Sequence, residues 1–309
     1  MATVVLAGGT GGAKLAAGLQ EVVGSGLDVV ANTGDDTEVL GVHVSPDPDL
    51  ITYWLSGEID AERGWGIRDD TATVFERLVQ LGEPDWFRLT DRDLATCLRR
   101  RHLLEGGARP TEAQERIARA LGVEARVLPM SDEPVRTRVR TREGWRGFQQ
   151  YLVLERAEPA IEAIEFEGAG QAVATPEVAG TLATAEAIVI GPSNPVISIG
   201  AILAVPGIRT AIAESPAPVV AVSPFVAGRA IKGPTETFMH AIGLKPSAAG
   251  VAEAYRDLLD GLIVDSGDPE PPPGGVRTLS VPTLMTDQRS RSTVAERTLE
   301  FAAALAAER

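Results

Sequence analysis

The chain has 309 residues, 44% of them apolar, which is enough for one large domain or two modest ones with a substantial core. With 29 basic and 43 acidic residues the net charge is −14, which excludes duplex nucleic acid as a default partner, because the long-range field repels phosphates. The single cysteine, Cys97, excludes an intrachain disulfide and a cysteine-clustered zinc site, and it fits a reducing cytoplasm.

In chain order, "TVVLA" from Thr3 reads as a buried strand, the glycines behind it as a turn, and Ala13 to Val23 as a helix. No basic region precedes this apolar run, so no signal peptide is expected. Leu27 to Thr33 is a second strand opening into the acidic loop "GDDTEVLG". "TEAQERIARALG" after Pro110 has the spacing of an amphipathic helix with proline near its start. "VRTRVRTREGWRGFQQYLVL" alternates at period two around Glu143-Gly144 and predicts an antiparallel hairpin. Arg136, Arg138, Arg140 and Arg142 then form a stripe on one face of that hairpin, read as a solvated strand face. These features place an inserted α+β subdomain at residues 99–175, inside a core made of 1–98 and 176–309.

"AIVIGPSNP", "PVVAVSPF" and "GLIVDSGD" follow, each an apolar, β-branched run ending in a Gly/Pro/Ser/Asp loop. Continuous apolar strands separated by helices predict an α/β fold with a mainly parallel sheet covered on both faces. Ligands of such sheets bind at the carboxyl ends of the strands, where the loops of chemical interest here lie. Ala187 to Ile208 carries no formal charge, but its glycine, prolines, serines and asparagine argue for a buried strand, loop and helix rather than a membrane span. "PEPPPGG" from Pro269 reads as a surface loop, and "STVAERTLEFAAALAAER" as a packing helix with a Thr293–Glu296 capping box. No internal repeat is found.

The glycine turn "AGGTGGAKL" fails both common nucleotide signatures. Counting G-x-G-x-x-G from Gly9 puts Lys14 where the last glycine belongs, and Lys14 is followed by Leu15, so a Walker loop lacks its hydroxyl. What remains is an anion-binding turn at a helix N-terminus, or a bare strand-helix turn. Three acidic loops offer Asp35 and Asp36, Asp47 and Asp49, and Asp69 and Asp70. Oxygen-only sets of this kind suit Mg²⁺; helix capping is the competing role for any one pair. Ser193 and Asn194 in "GPSNPVISIG" offer neutral hydrogen-bonding groups, against an ordinary Asx turn. Arg229 and Lys232 in "SPFVAGRAIKGP" offer a phosphate clamp, against a basic surface loop. His43, His102 and His240 show no metal-ligand spacing.

"GGTGGAKL", "NTGDD", "SPDPD", "RGWGIRDDT", "DRDLAT", "LPMSDEPV", "GPSNPVISIG", "SPFVAGRAIKGP" and "LMTD" occur in this order over most of the chain. Together they resemble the 2-phospho-L-lactate transferase family of coenzyme F-420 biosynthesis. The resemblance implies a Rossmann-like three-layer core with an inserted subdomain. It also implies Mg²⁺-dependent transfer of a phospholactyl or phosphoenolpyruvyl group from a guanylyl-linked diphosphate to the hydroxyl of the deazaflavin Fo, with release of GMP. By resemblance, Asp49 grips the acceptor with Arg92 or Arg88 nearby. Asp36 and Asp69 are the candidate Mg²⁺ ligands and candidate bases. Gly9, Thr10, Gly11, Gly12, Ser193, Asn194, Arg229 and Lys232 hold the donor. A homodimer in the cytoplasm with small-molecule substrates, no nucleic acid and no membrane is expected. Thr90 and Cys97 depart from the glycine and histidine common in the family. The competing expectation is a UDP-sugar-binding regulator of a related non-catalytic branch; "RGWGIRDDT", "DRDLAT" and "LPMSDEP" favour the enzyme. A nicotinamide-dependent oxidoreductase is disfavoured by the failed fingerprint at Lys14.

Overall fold

A computed structural model describes residues 2–270 and 274–308. In chain order the strands are β1 (Ala2–Ala7), β2 (Leu27–Ala31), β3 (Thr37–Val39), β4 (Val42–Val44), β5 (Arg126–Pro129), β6 (Arg136–Thr141) and β7 (Gly144–Gly147). They continue with β8 (Ala163–Glu167), β9 (Ala185–Ile190), β10 (Val219–Val222), β11 (Phe225–Val226), β12 (Arg229–Ala230), β13 (Gly261–Asp265) and β14 (Arg277–Val281). Seven of them form one sheet in the order β14-β13-β10-β9-β1-β2-β5, and every neighbouring pair is parallel.

The continuous apolar runs follow from two buried faces. Along β1, Val4 and Leu6 enter one hydrophobic cluster with Val178, Leu182, Ile202 and Phe238. Val5 and Ala7 enter the other, with Leu15, Leu19, Ile51 and Val294. Successive side chains point to opposite faces, so a strand covered on both sides must be apolar at every position. The second layer is built by helices Gly9–Val23, Pro46–Ser56 and Gln288–Ala307. The last of these crosses the first so closely that a β-carbon on Gly18 would fall 2.4 Å from the Arg291 carbonyl oxygen. The sheet therefore belongs to the doubly wound three-layer class.

The structure departs from the sequence expectations at identifiable places. The first helix starts at Gly9 rather than Ala13, because its glycines form the first turn instead of a separate loop. The C-terminal helix starts at Gln288, with Asp287 and Ser290 as its capping box; Thr293 and Glu296 lie inside it. The stretch 99–175 expected as an inserted subdomain contributes to more than one sheet. The boundary at Arg99 falls within helix Asp91–Glu105, and β5 is the edge strand of the main sheet. Within this stretch β6, β7 and β8 form a separate antiparallel sheet, turning at Glu143-Gly144, with Arg138 paired to Glu167 at 2.8 Å. The uncharged stretch 187–208 resolves into β9, a loop and helix Ile199–Ala204, and among the described residues no helix is long and apolar enough to cross a membrane. The proline loop from Pro269 lies partly outside the described residues.

Candidate active site

Between β9 and β1 the strand order changes direction, and the loops at their carboxyl ends part to leave a crevice. A cavity of about 680 Å³ opens there. Its walls come from the loops after β1, β2, β9, β10 and β14, joined by helix Pro46–Ser56.

The glycine turn forms one wall, and its small residues answer to packing. A β-carbon on Gly11 would fall 2.1 Å from the Pro192 carbonyl oxygen, and one on Gly12 would fall 2.4 Å from Ser193 Oγ. Ser193 Oγ in turn accepts the Gly8 amide at 3.1 Å, locking the loops after β1 and β9 together. Gly9 is different: its φ is +62° and open space lies where a side chain would go. Its amide donates to Asp47 Oδ1 at 2.8 Å. Thr10 and Gly11 line the cavity at the helix N-terminus, where amides lack intrahelical acceptors and the dipole favours an anion.

Two lysines stand beside that turn. Lys14 Nζ donates to the Met285 carbonyl at 2.7 Å and lies 5.6 Å from the centre of the Trp54 ring, with Arg291 5.1 Å from the same ring. Burial, then the charges of Lys232 and Arg291, lower the Lys14 pKa. Lys232 Nζ donates to the Arg63 carbonyl, and Thr10 Oγ1 to the Gly64 carbonyl, so both fasten the segment after helix Pro46–Ser56 over the turn. Cations held on neutral carbonyls are ready to exchange them for an anion.

Carboxylates form the floor. Asp35 and Asp47 are both buried and both line the cavity. Asp47 Oδ2 accepts from Asn32 Nδ2 at 2.9 Å, whereas Asp35 Oδ1 has no hydrogen-bond partner. Burial, and next the charge of Asp47, push the Asp35 carboxyl well above the usual range. Burial raises Asp47 to about 6 against its bonds to Asn32 and Gly9. Opposite them, Asn194 accepts the Val196 amide at 2.9 Å through Oδ1, while its buried Nδ2 has no partner. Two residues that line the same cavity thus each carry a buried polar atom without a partner, which is uncommon in a folded protein.

The remaining wall is apolar and aromatic. Trp86 and Phe87 meet edge to face, with centroids 5.4 Å apart, and pack on the cluster of Val44, Leu94 and Cys97. Asp49 lines the cavity here, but Arg100 holds it in a buried bidentate pair, with Nη1 3.0 Å from Oδ2. Burial still raises the Asp49 carboxyl despite that guanidinium.

Of the residues singled out from sequence, Gly9, Thr10, Gly11, Asp49, Arg88, Ser193, Asn194 and Lys232 line this cavity. Five others do not. Gly12 is packed against Ser193 and Ala7. Asp36 turns to a separate cavity of about 90 Å³, where Ser45 Oγ donates to it at 2.8 Å and His43 Nε2 lies 3.0 Å away. Asp69 is exposed, at φ +55°. Arg92 is tied to the Arg68 carbonyl and stands 3.6 Å from Asp70, and Arg229 is exposed on β12. Asp36 and Asp69 therefore do not meet as a pair at the main cavity. Asp35, Asp47 and Lys14 take that place. They lie in the same sequence loops, and what distinguishes them is which face of the chain turns inward.

The doubly wound sheet and this cleft, with anion-binding amides and lysines at one end and carboxylates beside an aromatic wall, define a protein that handles an anionic small molecule. Comparison with known proteins narrows the class. The family model for 2-phospho-L-lactate transferase CofD matches residues 3–275, and the chain belongs to that family. It is 41% identical over 313 residues to a phosphoenolpyruvate transferase of Streptomyces griseus, covering 98% of both chains. It is 39% identical over 266 residues to a 2-phospho-L-lactate transferase of Methanosarcina mazei, covering 86% of this chain and 87% of that one. Among solved structures, a UPF0052-family protein of Bacillus halodurans superposes with a TM-score of 0.64 over 96% of this chain and 98% of that one; at 19% identity it bears on the fold alone. The chain is a transferase of this family type.

Proposed function

We propose that this chain moves a phospholactyl or phosphoenolpyruvyl group from a GMP-linked diphosphate to the hydroxyl of the deazaflavin Fo, releasing GMP, as a step of coenzyme F-420 biosynthesis. The observation that carries the reading is the two-ended cavity. Gly9, Thr10, Gly11, Lys14 and Lys232 suit the diphosphate, while Trp86 and Phe87 suit a flat aromatic acceptor. Asn194, which lines the cavity and has an unpaired Nδ2, suits a base or ribose edge. The relatives' names as 2-phospho-L-lactate and phosphoenolpyruvate transferases support the same reading.

Mg²⁺ belongs to this proposal, and the donor set fits it. Asp35 and Asp47 are buried oxygen ligands whose ionised forms burial disfavours, and Asp35 Oδ1 lacks any partner. These two residues, rather than Asp36 and Asp69, would hold the ion beside the glycine turn. When bound, it supplies positive charge against the phosphate oxygens of the donor. The protein's own part is positioning: amides and lysines align the diphosphate and the aromatic wall orients the acceptor, which is most of what phosphoryl transfer demands. The net charge of −14 and single cysteine agree with the cytoplasmic setting we assign, with a homodimer as its assembly.

Incubation of the purified protein with Fo, the guanylyl donor and Mg²⁺ tests this directly. The expected outcome is GMP release in step with a new deazaflavin phosphodiester. No turnover, together with a strong rise in Tm on adding a UDP-sugar and none with Fo, would establish a binding regulator instead.

A further inference from the structure

Helix Asp91–Glu105 starts in "DRDLAT" and passes behind the aromatic wall. Its first turn holds three polar side chains with three different fates. Asp91 faces away from the cavity and accepts the amides of Thr73 and Val74 at 3.1 and 3.0 Å. Arg92 reaches the Arg68 carbonyl. Asp93 lines the cavity beside Tyr53 and near Asp49, and the same cavity is walled by Trp86 and Phe87. Tyr53 Oη donates to Asp93 Oδ1 at 2.9 Å, and among the described residues no other hydrogen bond reaches that carboxylate.

Asp49 and Asp93 differ in availability. Both oxygens of Asp49 are taken by Arg100, itself buried and further held toward Gln114 Oε1 at 3.4 Å. Asp93 has one oxygen fixed and one open to the cavity, next to the surface that suits the acceptor. The ligand-type atoms of Asp49, Asp93 and Cys97 lie within 4.8 Å of one another. Arg100 already neutralises Asp49 and burial pushes the Cys97 thiol far up, so this cluster is poorly suited to a cation.

We propose that Asp93 is the general base that takes the proton of the acceptor hydroxyl, with Tyr53 as the positioning residue that aims it. This rests on the transferase reading. In the step, the hydroxyl oxygen forms a bond to the donor's outer phosphorus as its proton passes to the open oxygen of Asp93. The bond from that phosphorus to the bridging oxygen breaks, and GMP departs with the electron pair. No oxidant, reductant or further reactant enters.

The surroundings match that task. The charged and titratable groups facing Asp93 are Asp49 and Tyr53 from helix Pro46–Ser56, Arg100 and Cys97 from its own helix, and Asp70 from the preceding loop. Burial, and then the charge of Asp49, raise Asp93 to about 6, while Tyr53 and Arg100 act to lower it. A base with that affinity is ionised at neutral pH and basic enough to accept a proton in the transition state.

Asp93→Asn keeps the shape and the acceptor oxygen for Tyr53, so it separates chemistry from folding. With Fo, donor and Mg²⁺, kcat should fall about 10²–10⁴-fold while both KM values stay within about threefold. Measured at saturating Mg²⁺, which keeps Asp35 and Asp47 ionised, the wild-type profile of kcat against pH should show an acid limb with its midpoint near 6, absent from the residual activity of Asp93→Asn. Tyr53→Phe removes a bond to the carboxylate and should move that limb to higher pH; Asp93→Glu should restore part of the rate. Wild-type kcat in Asp93→Asn, or an acid limb that persists in it, overturns the assignment. A wild-type protein that releases no GMP overturns the transferase reading and this inference with it.

Discussion

Two acidic regions of the first hundred residues look alike in sequence and differ in the folded chain. In the segment Asp69–Asp91, Asp70 accepts the amides of Thr71 and Arg92 at 2.9 and 3.0 Å, and Asp91 accepts those of Thr73 and Val74. Each aspartate thus caps the helix that belongs to the other's stretch, a reciprocal exchange that ties Thr73–Gln80 to Asp91–Glu105. Although burial acts to raise Asp70, hydrogen bonds from Thr90 and from the amides of Arg92, Asp93 and Thr71 hold it below the usual range. In the segment Asp35–Asp49 the carboxylates are more deeply buried, Asp35 Oδ1 lacks a partner although Asp47 and Asp49 are bonded through both oxygens, and burial moves all three upward. Amide-saturated carboxylates shape the scaffold, and carboxylates with an open oxygen are left for a ligand.

The sharpest way to break that comparison is at Arg100. Arg100→Met leaves Asp49 buried and unpaired, and should cost about 3–5 kcal/mol in urea unfolding. The double variant Asp49→Leu with Arg100→Met should recover most of it, since an apolar pair replaces an ionic one. Full stability in the single variant would mean that Asp49 is neutral in the fold.

Asp35→Asn tests the other side. Because burial and the charge of Asp47 raise this carboxyl, its ionised form opposes folding at neutral pH, and the wild type gains stability as pH falls through the raised values, about 6 for Asp47. The variant should raise Tm by about 2–4 °C at pH 7 without metal, flatten the rise toward lower pH, and lose the further increase that millimolar Mg²⁺ gives the wild type. Turnover should fall with it by about 100-fold or more. A Mg²⁺-induced Tm rise that survives in Asp35→Asn would remove Asp35 from the cation site.

The smallest effect belongs to the scaffold pair. Asp70→Ala should lower stability by about 1 kcal/mol at pH 7. The sign with pH is opposite: a depressed carboxylate contributes above its unfolded value, so the difference from wild type should vanish as pH falls through the folded pKa.

The sheet was legible because strands buried on both faces carry mostly apolar runs, as in Val4–Ala7, Val29–Ala31, Ala187–Ile190, Val219–Val222 and Leu262–Val264. β5 was not, because "RVLP" is a four-residue edge strand carrying an arginine and a proline, with too little pattern to separate it from the helix before it. The C-terminal helix start was misplaced since Thr293 and Glu296 satisfy the capping pattern as well as Asp287 and Ser290 do; only the turn geometry decides between them. In the site, the loops that line the cavity were legible in sequence, and the lining residues only in part. Asp35 and Asp36 are neighbours, and one backbone step sends one carboxylate to the main cavity and the other to Ser45 and His43. Asp49 reads as a free acid until Arg100, 51 residues on, is seen to hold it. Asp93 carries no local signal beyond lying in "DRDLAT".

The bond from Lys14 to the Met285 carbonyl joins residues 271 positions apart. During synthesis, the glycine turn leaves the ribosome long before the segment that fastens its lysine exists. The early strands must therefore wait, apolar on both faces, for β9, β10 and β13 to emerge and complete the sheet. Chains truncated before Met285 should carry most of the core and no finished cavity. The last strand and the helix that follows it thus act as a mark of completion, so binding competence arrives only with nearly the whole polypeptide.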